Sequence, residues 1–114
     1  MNVYDTAYEL AKALKAGPEA AEWKAANSAV SRDADAKRML DDFRERQMGF
    51  QQAMMEGKEP SSEDMDRMNK LYEVINLNPA VRRVMDAERR LSLQFEDVNR
   101  ILSEALRDIV GDPK

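Results

Sequence analysis

The chain contains no cysteine and no histidine among its 114 residues. The first absence excludes a disulfide framework, thiolate metal sites and a cysteine nucleophile. The second removes imidazole general bases and histidine-ligated zinc. It also removes the Glu-x-x-His motifs that di-metal helical bundles need. Glycine and proline are scarce, at four each, and no glycine-rich phosphate loop is present. No apolar run approaches the ~18 residues of a membrane span, and the N-terminus shows no basic-then-apolar signal. A cytoplasmic protein without membrane insertion is therefore expected. An excess of positive charge is also missing: 18 Lys and Arg stand against 22 Asp and Glu, a net charge of −4. That balance argues against direct nucleic-acid binding.

What is present points to helices. Hydrophobic residues make up 43% and charged residues 35%, with Ala, Leu, Met, Glu, Lys and Arg prominent, which is a helical composition. The length fits one helical domain over residues 1–114. The organising stretch runs from Asn78 to about Val110. Val84, Glu88, Leu91, Phe95, Val98, Leu102, Ala105 and Ile109 alternate in steps of four and three, the seam of a coiled coil. Asn78 suits an N-cap and Pro79 the first helical position, while Gly111 and Pro113 end the helix. A helix of roughly 31 residues is about 46 Å long. A compact domain of this size has a radius of gyration of about 13 Å. Either the molecule is elongated, or another copy completes it.

The rest of the chain reads as shorter helices and one more long one. Residues 2–16 place Val3, Ala7, Leu10 and Leu14 in one stripe, with Tyr4, Tyr8 and Ala11 beside it. Asn2 or Asp5 caps it, and Gly17-Pro18 ends it, with Gly at the C′ position. A second helix from Pro18 to Val30 carries Trp23, the only tryptophan, either as a core anchor or as an exposed partner contact. The second long helix covers residues 33–56. Its seam is Ala36, Leu40, Phe43, Gln47, Phe50 and Met54, and Asp33 and Asp35 compete to cap it. Gly57 ends it. Ser61 or Ser62 caps a fourth helix that presents Met65, Met68, Leu71, Tyr72 and Ile75 inward. Residue 78 precedes proline and favours an extended conformation, so a bend separates the fourth and fifth helices. The expected fold is all-α, a bundle of four or five helices built on two long antiparallel ones, coiled-coil-like.

Few residues invite chemistry. Asp33/Asp35, Asp41/Asp42 and Glu96/Asp97 read as caps or solvated helix faces, not as a carboxylate pair in a shared dry pocket. No catalytic, cofactor or metal residue is assigned. Gln47 and Glu88 occupy seam positions that should be apolar. There they fix register or oligomer state, or else they lie at the seam's edge and reach water. Arg82, Arg83, Arg89 and Arg90 form a basic cluster that pairing with acids such as Asp86 explains. The competing explanation is an acidic protein partner or RNA phosphate. Of eight methionines, Met39, Met54, Met65, Met68 and Met85 fit the interhelical spaces, and Met48 and Met55 fall outside the stripe, where adaptable thioethers suit a partner. The candidate partner or oligomer interface is Phe43, Gln47, Phe50, Met54, Glu88, Leu91, Phe95 and Leu102.

The order of these elements resembles a known family. Trp23 is followed by Asp33-Ala34-Asp35-Ala36-Lys37-Arg38-Met39-Leu40-Asp41-Asp42-Phe43 and by Gln47-Met48-Gly49-Phe50-Gln51-Gln52 with Gly57. Then come Leu71-Tyr72-Glu73-Val74-Ile75-Asn76-Leu77-Asn78-Pro79-Ala80-Val81 and Ala87-Glu88-Arg89-Arg90-Leu91. The chain looks like the YlbF/YmcA family of small helical bacterial regulatory proteins, most like its YheA-type branch. The resemblance implies an all-helical, cytoplasmic, self-associating protein without catalytic activity. Some relatives regulate competence, sporulation and biofilm formation in a complex linked to ribonuclease Y and messenger RNA maturation. An RNA-associated accessory role is thus the alternative to a protein-interaction adaptor. Relatives in that complex are associated with iron–sulfur clusters held by cysteine. This chain has none, so cluster binding does not carry over and no cofactor is expected. The expected partners are a second copy, giving a homodimer, and proteins of a regulatory complex.

Overall fold

The computed structural model describes residues 2–111. Five helices follow one another: α1 (Val3–Ala16), α2 (Pro18–Ser31), α3 (Ala34–Met55), α4 (Ser62–Asn76) and α5 (Pro79–Val110). No strand occurs among the described residues. The expected all-helical architecture and all five segments are found.

Side-chain caps set the helix starts. Asn2 Oδ1 accepts the Asp5 N–H at 2.8 Å, and Asp33 Oδ1 accepts the Ala36 N–H at 3.1 Å. Asn2 and Asp33 therefore take the N-cap positions, not Asp5 or Asp35. Ser61 Oγ caps α4 through the Asp64 N–H at 3.1 Å. Asn78 Oδ1 accepts from both Ala80 and Val81, at 3.1 and 3.2 Å. Each cap supplies an acceptor to donors that have no partner inside the helix.

The ends follow glycine chemistry in two of three places. Gly57 sits at φ +81°, its N–H donates to Met54 O, and the Lys58 N–H donates to Ala53 O. That pair of bonds is a Schellman motif. Gly111 ends α5 at φ +79°. Gly17 departs from expectation: it is extended, at φ −76° and ψ 166°. The reason is Pro18, whose ring excludes helical geometry from the preceding residue.

The described residues gather into two compact units. One is Ala25–Met85 and the other takes the chain up to Lys24 and from Asp86 onward. In the Ala25–Met85 unit, α3 packs on α4. Ala26, Val30, Ala36, Leu40, Phe43, Ile75, Val81 and Val84 are its buried core. Phe43 and Tyr72 meet with ring centroids 6.0 Å apart at 54°, a tilted arrangement that aromatic quadrupoles favour. In the other unit Ala87 is buried, while α1 has no buried residue at all. Gln94 Nε2 donates to Glu19 Oε2 at 3.1 Å there, tying α5 to α2.

Candidate interaction surfaces

Exposure rises along both long helices in the direction of the chain. On α5, Val81 and Val84 are fully buried and Ala87 is 2% exposed. Leu91 and Val98 are half-buried. Phe95 is 47% exposed, Leu102 56% and Ile109 80%. On α3, Ala36, Leu40 and Phe43 are buried, Phe50 is half-buried, and Gln47 and Met54 are exposed. The heptad pattern continues after the core that would cover it has ended.

The uncovered part of α5 is broader than a two-residue seam. With Leu91 and Phe95 on the seam, Gln94, Ile101 and Asp108 border it on one side and Ser92, Asn99 and Leu106 on the other. Ile101 and Leu106 are themselves exposed. The charged residues Glu96, Asp97, Arg100, Glu104 and Arg107 lie on the opposite face. There Arg100 pairs with Asp97 and Glu104. Such exposed helical pairs contribute a few tenths of a kcal/mol each. In the same unit α1 leaves Val3, Tyr4 and Tyr8 more than three-quarters exposed.

The eight candidate residues thus fall into groups. Phe43 belongs to the core beside Tyr72. Gln47, Phe50 and Met54 run along the uncovered part of α3. Leu91, Phe95 and Leu102 line the uncovered part of α5, and Glu88 is half-buried at its start. Sequence reasoning missed Ile101 and Leu106 because it followed the seam positions and not their flanks. Met54 and Met65 are more open than gap-filling methionines, at 59% and 46% exposure. Met48 and Met55, outside the stripe, are 70% and 90% exposed. In the basic cluster, Asp86 pairs with Arg89 at 3.4 Å, as helical spacing allows.

A second feature lies where α3 meets the loop into α4. A cavity of about 310 Å³ opens there, with Gly49, Phe50 and Ala53 on one side and Lys58, Glu59, Pro60 and Asp64 on the other. Gly49 is a mid-helix glycine with no positive φ. A methyl group in place of its hydrogen would meet nothing within 4 Å. Among the described residues, no group of three or more acidic side chains is arranged to hold a metal ion. No described helix is long and apolar enough to cross a membrane.

Comparison with known proteins agrees with the order of elements. The sequence model described as "Control of competence regulator ComK, YlbF/YmcA" matches residues 3–107. A UPF0342 protein of Caldicellulosiruptor saccharolyticus is 37% identical over 105 residues, covering 92% of this chain and 88% of that protein. A UPF0342 protein of Alkalihalophilus pseudofirmus is 34% identical over 113 residues, covering 99% and 96%. Among solved structures, a DUF964 protein of unknown function from Bacillus stearothermophilus superposes with a TM-score of 0.88 at 22% identity, covering 98% of each chain. YheA from Bacillus subtilis gives 0.71 at 26% identity, covering 96% of this chain and 99% of that one. Bacillus subtilis RicA, solved in complex with RicF, gives 0.65 at 20% identity, covering 95% and 96%. Over nearly its whole length the chain belongs to the YlbF/YmcA family.

Proposed function

We propose that the protein is a non-enzymatic regulatory adaptor that works by helix-to-helix association, first with a second copy of itself. The observation that carries this reading is the uncovered seam of α5. Leu91, Phe95, Val98, Leu102, Ala105 and Ile109 keep the alternating spacing of a helix-pairing face, yet Phe95, Leu102 and Ile109 are left 47–80% exposed. Monomeric proteins rarely keep a large contiguous apolar patch in water. A second α5 repeats the same spacing and so matches the face without further design. The description of the family as a competence regulator and the complex of RicA with RicF support a role exercised through protein partners, a role we place in the cytoplasm. Phe50 and Met54 on α3, with the polar Gln47 beside them, are a separate surface on this reading.

The RNA-associated alternative rests on Arg82, Arg83, Arg89 and Arg90. The net charge of −4 and the Asp86–Arg89 pair weigh against it. RNA binding through that cluster would weaken steeply with salt.

Sedimentation of the purified chain at micromolar concentration tests the proposal. A dimer that Leu102→Glu converts to monomer is the expected result. Monomer at every concentration would reject self-association.

A further inference from the structure

We infer that the groove between the last turns of α3 and the loop into α4 is a docking site for a basic amphipathic helical segment of another protein. It does not depend on self-association through α5, whose seam it does not use.

The first argument is Gly49. Glycine inside a helix lowers stability relative to alanine, so its presence calls for a reason. Backbone geometry gives none, because Gly49 has no positive φ. Packing within the chain gives none either, since an added Cβ meets nothing within 4 Å. What remains is the space itself. A bare helix backbone lets a foreign side chain or backbone approach closely, and Gly49 lines the groove of about 310 Å³.

The second argument is charge. Residues 56–66 carry Glu56, Glu59, Glu63, Asp64 and Asp66 against Lys58 alone, and Lys58 Nζ already lies 3.7 Å from Glu56. Glu63 and Asp64 stand in the first turn of α4, where the helix dipole favours them. The dipole does not account for Glu56, Glu59 or Asp66. Glu59 and Asp64 form part of the groove wall, together with Lys58. The acidic excess of the 56–66 stretch around Phe50, Ala53 and Pro60 matches a ligand with one apolar face and lysine or arginine at its edges. Met54 and Met65, next in sequence to the lining residues Ala53 and Asp64, are 59% and 46% exposed, and thioether side chains adapt readily to such a helix. Arg67 and Lys70 follow on α4, and residues 56–70 still carry five acidic against three basic side chains.

The test is a nuclear magnetic resonance titration of the isotope-labelled full-length protein with a synthetic Lys/Leu amphipathic peptide. A Glu/Leu peptide with the same apolar pattern is the control. The expected result is saturable shifts at the Gly49, Ala53, Glu59 and Asp64 amides with the Lys/Leu peptide only. Gly49→Gln fills the space with a good helix former. It should raise the melting temperature and weaken binding roughly tenfold or more, which separates loss of the site from loss of the fold. Glu59→Lys should weaken binding as well. Absence of binding overturns the inference. So do shifts confined to α5, equal binding of both peptides, or unchanged affinity in Gly49→Gln. If Gly49→Gln instead breaks up an oligomer of the free protein, the groove holds a second copy and the inference fails.

Discussion

Truncating Leu102 separates association from folding, because its side chain is 56% exposed within the chain. Moving an apolar side chain of this size from full exposure to full burial is worth roughly 1.5–3 kcal/mol. About half of that remains to be gained when a partner covers it, or roughly 1 kcal/mol. In a two-fold dimer the residue is used twice. Leu102→Ala should therefore weaken dimerisation by roughly 2 kcal/mol, a factor of about thirty in Kd. The same substitution should lower the stability of the single chain by less than about 1 kcal/mol. Sedimentation equilibrium over a dilution series reads the first quantity, and urea unfolding at low protein concentration reads the second. Leu93 is the control: it is 49% exposed but lies on the far side of α5 from the seam. Leu93→Ala should leave Kd unchanged. Equal weakening by both substitutions would mean that exposed apolar area, not the seam, drives association. No weakening by Leu102→Ala would refute the argument.

Four other substitutions test the fold. Ile75 is fully buried, and Ile75→Ala should destabilise by roughly 2–5 kcal/mol, measured by circular dichroism in urea. Asn78→Ala leaves the Ala80 and Val81 N–H groups without their cap and should cost about 1 kcal/mol in the same assay. Gly57→Ala and Gly49→Ala should act in opposite directions. The first forces a Cβ into φ +81° and lowers the melting temperature. The second removes a helix-interior glycine in open space and stabilises by roughly 0.5–1 kcal/mol.

The helix boundaries were legible because their signals are local. Asn78-Pro79, Ser61 and Gly57 act within one turn of chain, and the structure uses each as the residue type dictates. Gly17 read wrongly because two local rules conflicted there, and the steric rule before proline outweighed the glycine preference at a helix end. The seam positions were also legible, since periodicity fixes which face of a helix is apolar. Periodicity does not say where the covering helices run out. Met54 and Met65 look like core methionines on a helical wheel, and only tertiary structure shows them open. Gln47 resolves in the same way: its seam position is exposed between the buried Phe43 and the half-buried Phe50, so its amide reaches water. Gly49 is visible in the sequence only as a mid-helix glycine, because the space around it is made by residues 58–64 of the next loop and helix.

Both long helices divide their work in the same way. The first turns of α3 and α5 supply Ala36, Leu40, Phe43, Val81 and Val84 to one core. Their later turns carry the same apolar spacing with progressively less cover. Along α3 the later turns continue a helix whose first turns are fixed in the core, so their azimuth is set by residues such as Leu40 and Phe43. An α-helix is stiff over this length, and a partner then meets a face oriented in advance, with little ordering entropy left to lose on binding. Seam substitutions on the later turns should consequently change association while core substitutions on the first turns change both. A variant such as Val84→Ala would weaken dimerisation only in proportion to the fraction of chains it unfolds. A larger loss of association in still-folded protein would show that the core of α5 also sets the orientation of its seam.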